Sequence, residues 1–394
     1  MSAHYYLFLV VFMVLLSAFG SFVNDMYLPC LPDMVKVFGC TVSQIQLSLT
    51  MGMIGLGVGE ILFGPISDKY GRKPVLYFAL VLFLVFAVIS IFSRTLIFFL
   101  ICRLVQGIGG SAGYFLARTI PADVFGGRRL AKFMGVIGAI NGLAPALAPT
   151  LGGLMADSVG WKGIFLVLAG FSVVLLVLNH FFKETLPPER RDKGSLMKSF
   201  ESYGRLLTNK RFMAHVMFKD VALGLLFAYI SSSPFIIQTH FGYTPVAFGI
   251  FIGVNALLLG VGSLVASRFR VLKNAGFIGA WIMSLAMIGE CFVLFYVDSF
   301  WAFELLLLPV LFSAGMIFCV GNTLAMNEGR NDAGVASGLL GVFGYIVGAI
   351  VSPLVGIGNI MHSTAWVFLI LAVIVLLISF YTHSLPDDLN QSPS

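Results

Sequence analysis

Long uninterrupted runs of apolar residues recur along the whole chain, separated by short segments rich in glycine, proline or charge. Of the 394 residues, 59% are hydrophobic and 11% are charged, whereas a soluble domain has about 25% charged residues. A membrane-spanning helix needs about 20 apolar residues, and runs such as 366–378 lack the alternation of a transmembrane β-strand. The sequence therefore predicts an all-α membrane protein and excludes a soluble globular protein.

Twelve apolar segments are long enough to cross a bilayer. They cover approximately residues 5–27, 42–66, 74–93, 97–118, 131–156, 161–182, 211–237, 245–267, 275–297, 301–326, 333–357 and 362–382. No Lys or Arg precedes the first segment and no small-residue cleavage site follows it, so we interpret it as a span and not as a signal peptide. The predicted organisation is an N-terminal six-helix bundle (1–182), a charged linker (183–210), a C-terminal six-helix bundle (211–383) and a tail (384–394).

The basic residues predict the orientation of these spans. Nineteen Lys and Arg residues fall on the side of the N-terminus and the linker, against three on the opposite side. Cytoplasmic loops carry this excess in membrane proteins, so both termini are expected in the cytoplasm. The net charge of +6 is thus explained by topology, and we expect no nucleic-acid partner.

The two predicted halves are weakly similar to each other. Gly64 and Arg72 have counterparts 198 residues further on, in Gly262 and Arg270. Repeated halves with a binding site between them near the bilayer midplane are typical of secondary transporters. The pattern predicts two pseudo-symmetric six-helix bundles.

The segment Gly64–Lys73 joins the second and third spans and carries Asp68, Gly71 and Arg72 at fixed spacing. Gly64 permits close helix approach, Gly71 permits a turn with positive φ, and an acid such as Asp68 suits a helix N-terminus. The segment resembles the signature loop of the major facilitator superfamily, G-x-x-x-D-[RK]-x-G-R-[RK].

In that family the loop latches the two bundles together on the cytoplasmic side. The resemblance implies that Asp68 meets the start of the eleventh span, near residues 331–334, and that Arg72 pairs with Asp123. Ala266 stands where the second half would need the equivalent acid, so we expect an asymmetric latch.

Two charged residues lie in or beside predicted spans. Arg103 lies about six residues inside span 4, where a buried guanidinium costs roughly 2.5–3.5 kcal/mol, so it must face a polar cavity or a partner. The alternative is that it snorkels to the membrane surface.

Asp25 lies near the end of span 1 and is our candidate proton-binding residue; the alternative is an exposed acid at the outer surface. Ser17, Ser21 and Asn24 form one polar stripe beside it.

The fifth predicted span contains two prolines four residues apart and a glycine pair, at Pro145, Pro149, Gly152 and Gly153. Prolines leave backbone carbonyls unpaired and bend a helix, and glycines permit close packing. The pattern resembles the antiporter motif of drug exporters, in the form found in the bicyclomycin- and chloramphenicol-resistance (Bcr/CflA) subgroup. A purely structural kink is the alternative.

This resemblance covers essentially the whole chain. It implies a monomeric, multi-pass protein of the bacterial inner membrane that couples efflux of small lipophilic compounds to protons through Asp25 and Arg103. An exporter or symporter of one endogenous metabolite or nutrient is the alternative. No enzymatic motif, metal-ligand spacing or cofactor motif is present in the sequence. Substrate-lining candidates are Ser17, Ser21, Asn24, Tyr114, Asn141, Tyr229, Phe235 and Asn255.

Several residues leave alternatives open. Ser17 stands where a multidrug member of the family has a second span-1 acid, while Glu60 in span 2 is either an additional proton site or a neutral hydrogen-bonded side chain. Cys30 and Cys40 fall in one loop and either pair or remain free thiols. No role is assigned to the charged residues Lys219, Asp220, Glu290 and Glu304. Of these, Lys219 and Asp220 are expected at the cytoplasmic edge of the membrane.

Overall fold

The computed structural model describes residues 3–191, 203–330 and 333–385, and every regular element in these ranges is helical. The N-terminal part contains α1 (Ala3–Asp25), a 3-10 turn (Leu28–Cys30), α2 (Leu31–Phe38), α3 (Val42–Tyr70), α4 (Arg72–Ser90), α5 (Leu96–Val124), α6 (Gly127–Phe181) and a 3-10 turn (Pro188–Arg190).

After a short helical stretch at 203–208, the remaining elements are α7 (Lys210–Ser233) with a π-helical extension (Pro234–His240), α8 (Pro245–Ala266), α9 (Leu272–Phe292) with a π-helical extension (Val293–Val297), α10 (Phe300–Glu328), α11 (Ala333–Leu354) and α12 (Ile360–Ser384). Side chains cap several starts: Thr41 and Gln44 form a capping box on α3, and Asn209 and Asn359 accept hydrogen bonds from the first turns of α7 and α12.

Within the described residues, eleven helices are long and apolar enough to cross a membrane. One of them, Leu143–Phe181, has 39 residues, about twice the length that one crossing needs. Its backbone leaves helical geometry at Gly160, with φ 62° and ψ −175°, a conformation that glycine adopts without a Cβ clash. The helix therefore counts as two crossings, which gives twelve. The predicted all-α membrane fold is confirmed.

By their contacts the residues form two compact units. The first comprises Met1–Leu196 and Ile237–Ala256. Within it, α1 packs on α5 and α6, α3 packs on α5, and α4 packs on α5 and α6. The second comprises Met197–Ile236 and Leu257–Ser394. There α7 packs on α10, α11 and α12, and α9 packs on α10 and α12. The six-plus-six division with a linker at 183–210 stays a prediction.

The segment Ile237–Ala256 joins the first unit through specific contacts. Gln238 Nε2 donates a hydrogen bond to the Pro29 carbonyl at 3.1 Å. Thr150 Oγ1 donates to the Gly249 carbonyl at 2.7 Å. The end of the π-helical extension and the start of α8 are therefore fastened to the loop after α1 and to α6.

Candidate functional site

The helices α3 and α5 approach each other at a glycine contact. A Cβ added at Gly55 would lie 2.2 Å from the Leu104 carbonyl oxygen, and one at Gly107 would lie 2.3 Å from the Gly52 carbonyl oxygen. No side chain fits at these positions, so the two backbones touch. This contact places Arg103, on α5, beside Gly52 on α3.

Arg103 is fully buried, at 0% exposure, and reaches toward α1. Its Nη1 donates hydrogen bonds to the Val23 carbonyl at 3.0 Å and to Gln106 Oε1 at 2.9 Å. Gln106 Nε2 in turn donates to the Phe86 carbonyl at 3.0 Å on α4. The snorkelling alternative is wrong for this side chain, because its guanidinium is held inside the first unit.

Two aromatic rings flank the guanidinium. Its Cζ lies 4.5 Å from the ring centroid of Tyr27 and 5.6 Å from that of Phe165, within the range of a cation–π interaction. The Tyr27 hydroxyl shares a hydrogen bond of 2.9 Å with Ser48 Oγ on α3. Nε and Nη2 of Arg103 have no hydrogen-bond partner within the described part of the chain. The cation is therefore stabilised mainly by one carbonyl, one amide and two rings.

Asp25 ends α1 and is 8% exposed, so the alternative of an exposed outer acid is wrong. Its Oδ1 accepts a hydrogen bond of 2.9 Å from Asn24 Nδ2. Among the described residues, no ion pair joins Asp25 to Arg103. A Cβ added at Gly52 would lie 2.9 Å from Arg103 Nη2 and 3.3 Å from Asn24 Oδ1. The Asn24 side chain thus bonds the Asp25 carboxylate and, like the Arg103 guanidinium, lies against Gly52.

The other substrate-lining candidates are only partly brought together. Ser17 is buried and Ser21 is half-buried on α1. Tyr114 packs on α1, since a Cβ at Gly20 would lie 3.3 Å from its Cδ2, and the Arg118 guanidinium lies 4.1 Å from its ring centroid. Asn255 is buried in the first unit, whereas Tyr229 and Phe235 are buried in the second. Asn141 lies in α6, and its side chain is outside the described residues.

The signature loop forms a compact ion-pair network around Arg72. Its Nε donates to Asp123 Oδ2 at 2.9 Å, and its Nη1 donates to Asp68 Oδ1 at 2.6 Å and to Ser67 Oγ at 2.6 Å. The pair with Asp123 is the one that the resemblance implies. The expected contact of Asp68 with the start of the eleventh span falls partly on residues 331–332, outside the described residues, so the latching role stays a prediction.

Glu184 completes this network, and the sequence analysis did not single it out. Its Oε1 accepts from the backbone N–H of Arg72 at 3.0 Å and its Oε2 from that of Lys73 at 3.0 Å. The carboxylate therefore caps the N-terminus of α4, where the helix dipole favours negative charge. Gly71, at φ 101°, makes the turn, and a Cβ there would lie 2.6 Å from Glu184 Oε2. The available signal was an acid directly after the sixth span.

The two prolines of the antiporter motif lie inside α6, whose backbone stays helical except at Gly160. A Cβ at Gly152 would lie 1.8 Å from the Met26 carbonyl oxygen, and one at Gly153 would lie 2.3 Å from the Pro245 carbonyl oxygen. The glycine pair therefore lets the loop after Asp25 and the start of α8 both lie directly against α6.

Three further expectations can be compared with the structure. Lys219 and Asp220 are buried inside the second unit: Lys219 Nζ lies 2.7 Å from Asp220 Oδ1 and donates to the Leu340 carbonyl at 2.7 Å. Their placement at the cytoplasmic edge stays a prediction, and α11 supplies a partner within the bundle. Cys30 and Cys40 are free thiols. Glu60 is buried on α3, which leaves its two interpretations open.

These features define a polytopic membrane transporter with a buried charged site in its first unit. The family model of the Major Facilitator Superfamily matches residues 10–353, and the chain belongs to this superfamily of transporters; it is not an enzyme.

The chain is 35% identical over 366 residues to a Bacillus subtilis (strain 168) protein named "Uncharacterized MFS-type transporter YdgK", covering 89% of this chain and 91% of that protein. It is 26% identical to the "Bicyclomycin resistance protein homolog" of Haemophilus influenzae, covering 93% of each. The fold is similar to that of the Escherichia coli xylose transporter XylE in a partially occluded inward-open conformation. The TM-score is 0.76 at 15% identity, covering 99% of this chain and all of that one.

Proposed function

We propose that the protein exports small lipophilic, drug-like compounds across the bacterial inner membrane in exchange for protons. One observation carries the coupling part of the proposal. Arg103 is buried in an aromatic and carbonyl environment, and Asp25, at the end of α1, is buried and hydrogen-bonded to Asn24 without a direct ion pair to Arg103. A carboxylate so placed can gain or lose a proton without breaking a salt bridge.

In this mechanism Asp25 carries the proton and Arg103 responds to its charge. When Asp25 is ionised, the guanidinium attracts it and the acid of span 1 is drawn toward α5. When Asp25 is protonated, that attraction is lost, while Tyr27 and the Val23 carbonyl still stabilise the cation. The local structure thus has a different energy in each protonation state, which is what coupling by alternating access requires.

The substrate class rests on similarity. A relative covering 93% of the chain is named for bicyclomycin resistance, and the glycine pair and prolines of α6 match the antiporter motif. We also propose that the protein works as a monomer in the bilayer, with both termini in the cytoplasm.

A proteoliposome assay with an imposed pH gradient tests the proposal. Purified full-length protein is given a panel of neutral and cationic lipophilic compounds, including a phenicol, together with sugars and organic acids. We expect uphill movement of lipophilic compounds against the proton gradient, and its loss in Asp25→Asn. Transport of a single metabolite, in either direction, with no lipophilic compound moved would favour the endogenous-substrate alternative.

A further inference from the structure

A second pair of buried acids lies in the second unit, away from any role assigned above. Glu290 on α9 is 0% exposed, and Glu304 on α10 is 6% exposed. The two helices pack closely here, since a Cβ at Gly289 would lie 3.3 Å from Leu306 Cδ1. Glu290 follows Gly289, and Glu304 lies two residues before Leu306, so the two acids lie on the contacting turns of α9 and α10.

Glu290 has no hydrogen-bond partner for either carboxylate oxygen within the part of the chain that the structure describes. A fully buried carboxylate with no hydrogen bond and no counter-ion is strongly disfavoured as an anion, and a neighbouring acid disfavours it further. Such a group takes up a proton or a cation from solution.

Among the described residues, no ion pair of Glu290 with a basic side chain is found. After Lys273 at the start of α9, the sequence contains one further Lys or Arg, Arg330. Arg330 lies beyond the far end of α10, roughly 39 Å from Glu304 at 1.5 Å per helical residue. Lys219 packs against Gly321, roughly 26 Å along the same helix, and is paired with Asp220.

The other titratable groups around Glu290 are few. Cys291, its neighbour on α9, donates to the Ala365 carbonyl on α12. On α12, the exposed His362 contacts the ring of Phe295, at 5.2 Å between centroids. Glu304 is the acid from α10. None of these supplies a fixed cation beside the Glu290 carboxylate.

We propose that Glu290 binds a proton and that Glu290, with the neighbouring acid Glu304, is a second proton-binding site of the protein, in the unit that does not contain Asp25. A proton fits better than a metal ion, because the described residues offer no group of three or more His, Cys, Asp or Glu side chains at the site. The inference does not rest on proton-coupled export.

Infrared spectroscopy of the purified full-length protein tests this site directly, through the C=O stretch of a neutral carboxylic acid. All samples carry Asp25→Asn, which removes the acid of α1 from the spectrum. At neutral pH, we expect Glu290→Gln to remove one carboxylic-acid band. Glu189→Gln, which changes an exposed acid in the turn Pro188–Arg190, should leave the band unchanged and serves as the matched control.

Glu304→Gln provides a second, independent variant. Because the protonated Glu290 would then have an amide and not a carboxyl group as its neighbour, we expect the band to shift in frequency and not to vanish. Gln has the shape of a neutral Glu, so both variants should keep the melting temperature of the parent protein in the same buffer.

Three results would overturn the proposal. The first is a Glu290→Gln spectrum identical to that of the parent, and the second is a Glu304→Gln band at unchanged frequency. The third is a carboxylic-acid band that appears only when choline replaces Na⁺ and K⁺, because an alkali cation would then be the occupant of the site. Because the spectra record protonation without transport, a failure of the proposed export function would leave this test unaffected.

Discussion

The guanidinium of Arg103 lies over the ring of Tyr27, 4.5 Å from Cζ to the ring centroid, while the carboxylate of Asp25, two residues before Tyr27, is hydrogen-bonded to Asn24. The buried cation and the nearest buried acid therefore have separate partners. An ion pair would tie the protonation of Asp25 to the loss of a strong contact, whereas in the proposed mechanism this arrangement lets Asp25 gain or lose a proton without breaking a salt bridge.

Arg103 should need both its charge and its shape. Arg103→Ala removes the cation and is expected to abolish uphill transport in proteoliposomes. Arg103→Lys keeps the charge but loses the planar group that stacks on Tyr27 and bonds Val23 and Gln106, so we expect partial activity. Normal export by Arg103→Ala against a gradient would show that the guanidinium has no part in coupling.

Tyr27 should act mainly through its ring. Tyr27→Leu removes the cation–π contact, worth about 2 kcal/mol for a desolvated pair, and should lower both the melting temperature and the uphill transport rate. Tyr27→Phe keeps the ring and loses the hydrogen bond to Ser48, worth about 1 kcal/mol, so it should be the milder change. Equal effects of the two variants would contradict a role for the ring.

The loop around Arg72 should depend on two acids for different reasons. We expect Asp68→Asn to shift the protein toward inward-open forms and slow transport with substrate binding kept, because the predicted latch is worth about 1 kcal/mol. Glu184→Gln weakens the cap on α4 by a similar amount and should lower the melting temperature. Spin-label distances across the cytoplasmic face report the first effect, and distances unchanged in Asp68→Asn would reject the latch.

The charge of the substrate should matter, because α1 carries one buried acid. With one proton exchanged per molecule, a neutral compound gains about 2.3 kcal/mol per 100 mV of membrane potential and about 1.4 kcal/mol per pH unit. A monovalent cation gains only the pH part, and a dication is opposed by the potential. We therefore expect neutral, phenicol-like compounds to be preferred over dications, with Asp25→Asn abolishing uphill export of both.

Reversal potentials for a neutral and a dicationic compound measure this preference. Potential-independent export of a dication that survives Asp25→Asn would contradict it. The second proton would then have to come from another buried acid, such as Glu60 or Glu290.

Cys40 offers a test of orientation. It lies between α2 and α3, on the side predicted to be outside the cell, and burial raises the pKa of its thiol above the ordinary value. Maleimides react with the thiolate, so labelling should be slow at neutral pH and accelerate as the pH rises toward and beyond the raised pKa. In a variant with Cys40 as its single cysteine, a membrane-impermeant maleimide should label intact spheroplasts. Labelling only after lysis would reverse the predicted topology.

The sequence predicted the features that depend on chemistry within one segment. Twelve crossings followed from apolar length, and the boundary between the fifth and sixth spans falls where Gly160 breaks α6. The cost of burying a guanidinium indicated that Arg103 needed a partner. The partner itself could not be predicted, because Tyr27 and the Val23 carbonyl reach Arg103 only through the packing of α1 on α5.

The remaining differences have the same origin. Glu184 lies 112 residues from Arg72 along the chain, and no local pattern marks it as the cap of α4. The Leu340 carbonyl on α11, 121 residues from Lys219, provides a partner that the sequence around this lysine does not reveal.

The cap on α4 also shortens the freely moving part of the linker between the predicted bundles. Glu184 accepts hydrogen bonds from Arg72, Lys73 and the N–H of Leu186, so the chain is fastened down until about Leu186. If the linker moves freely only after Leu186 and not after Lys183, it is three residues shorter. Its maximal extended length is then reduced by about 10 Å. If the proposed alternating access moves the linker, the resulting force reaches the signature loop first, through the contacts of Glu184 with Arg72 and Lys73.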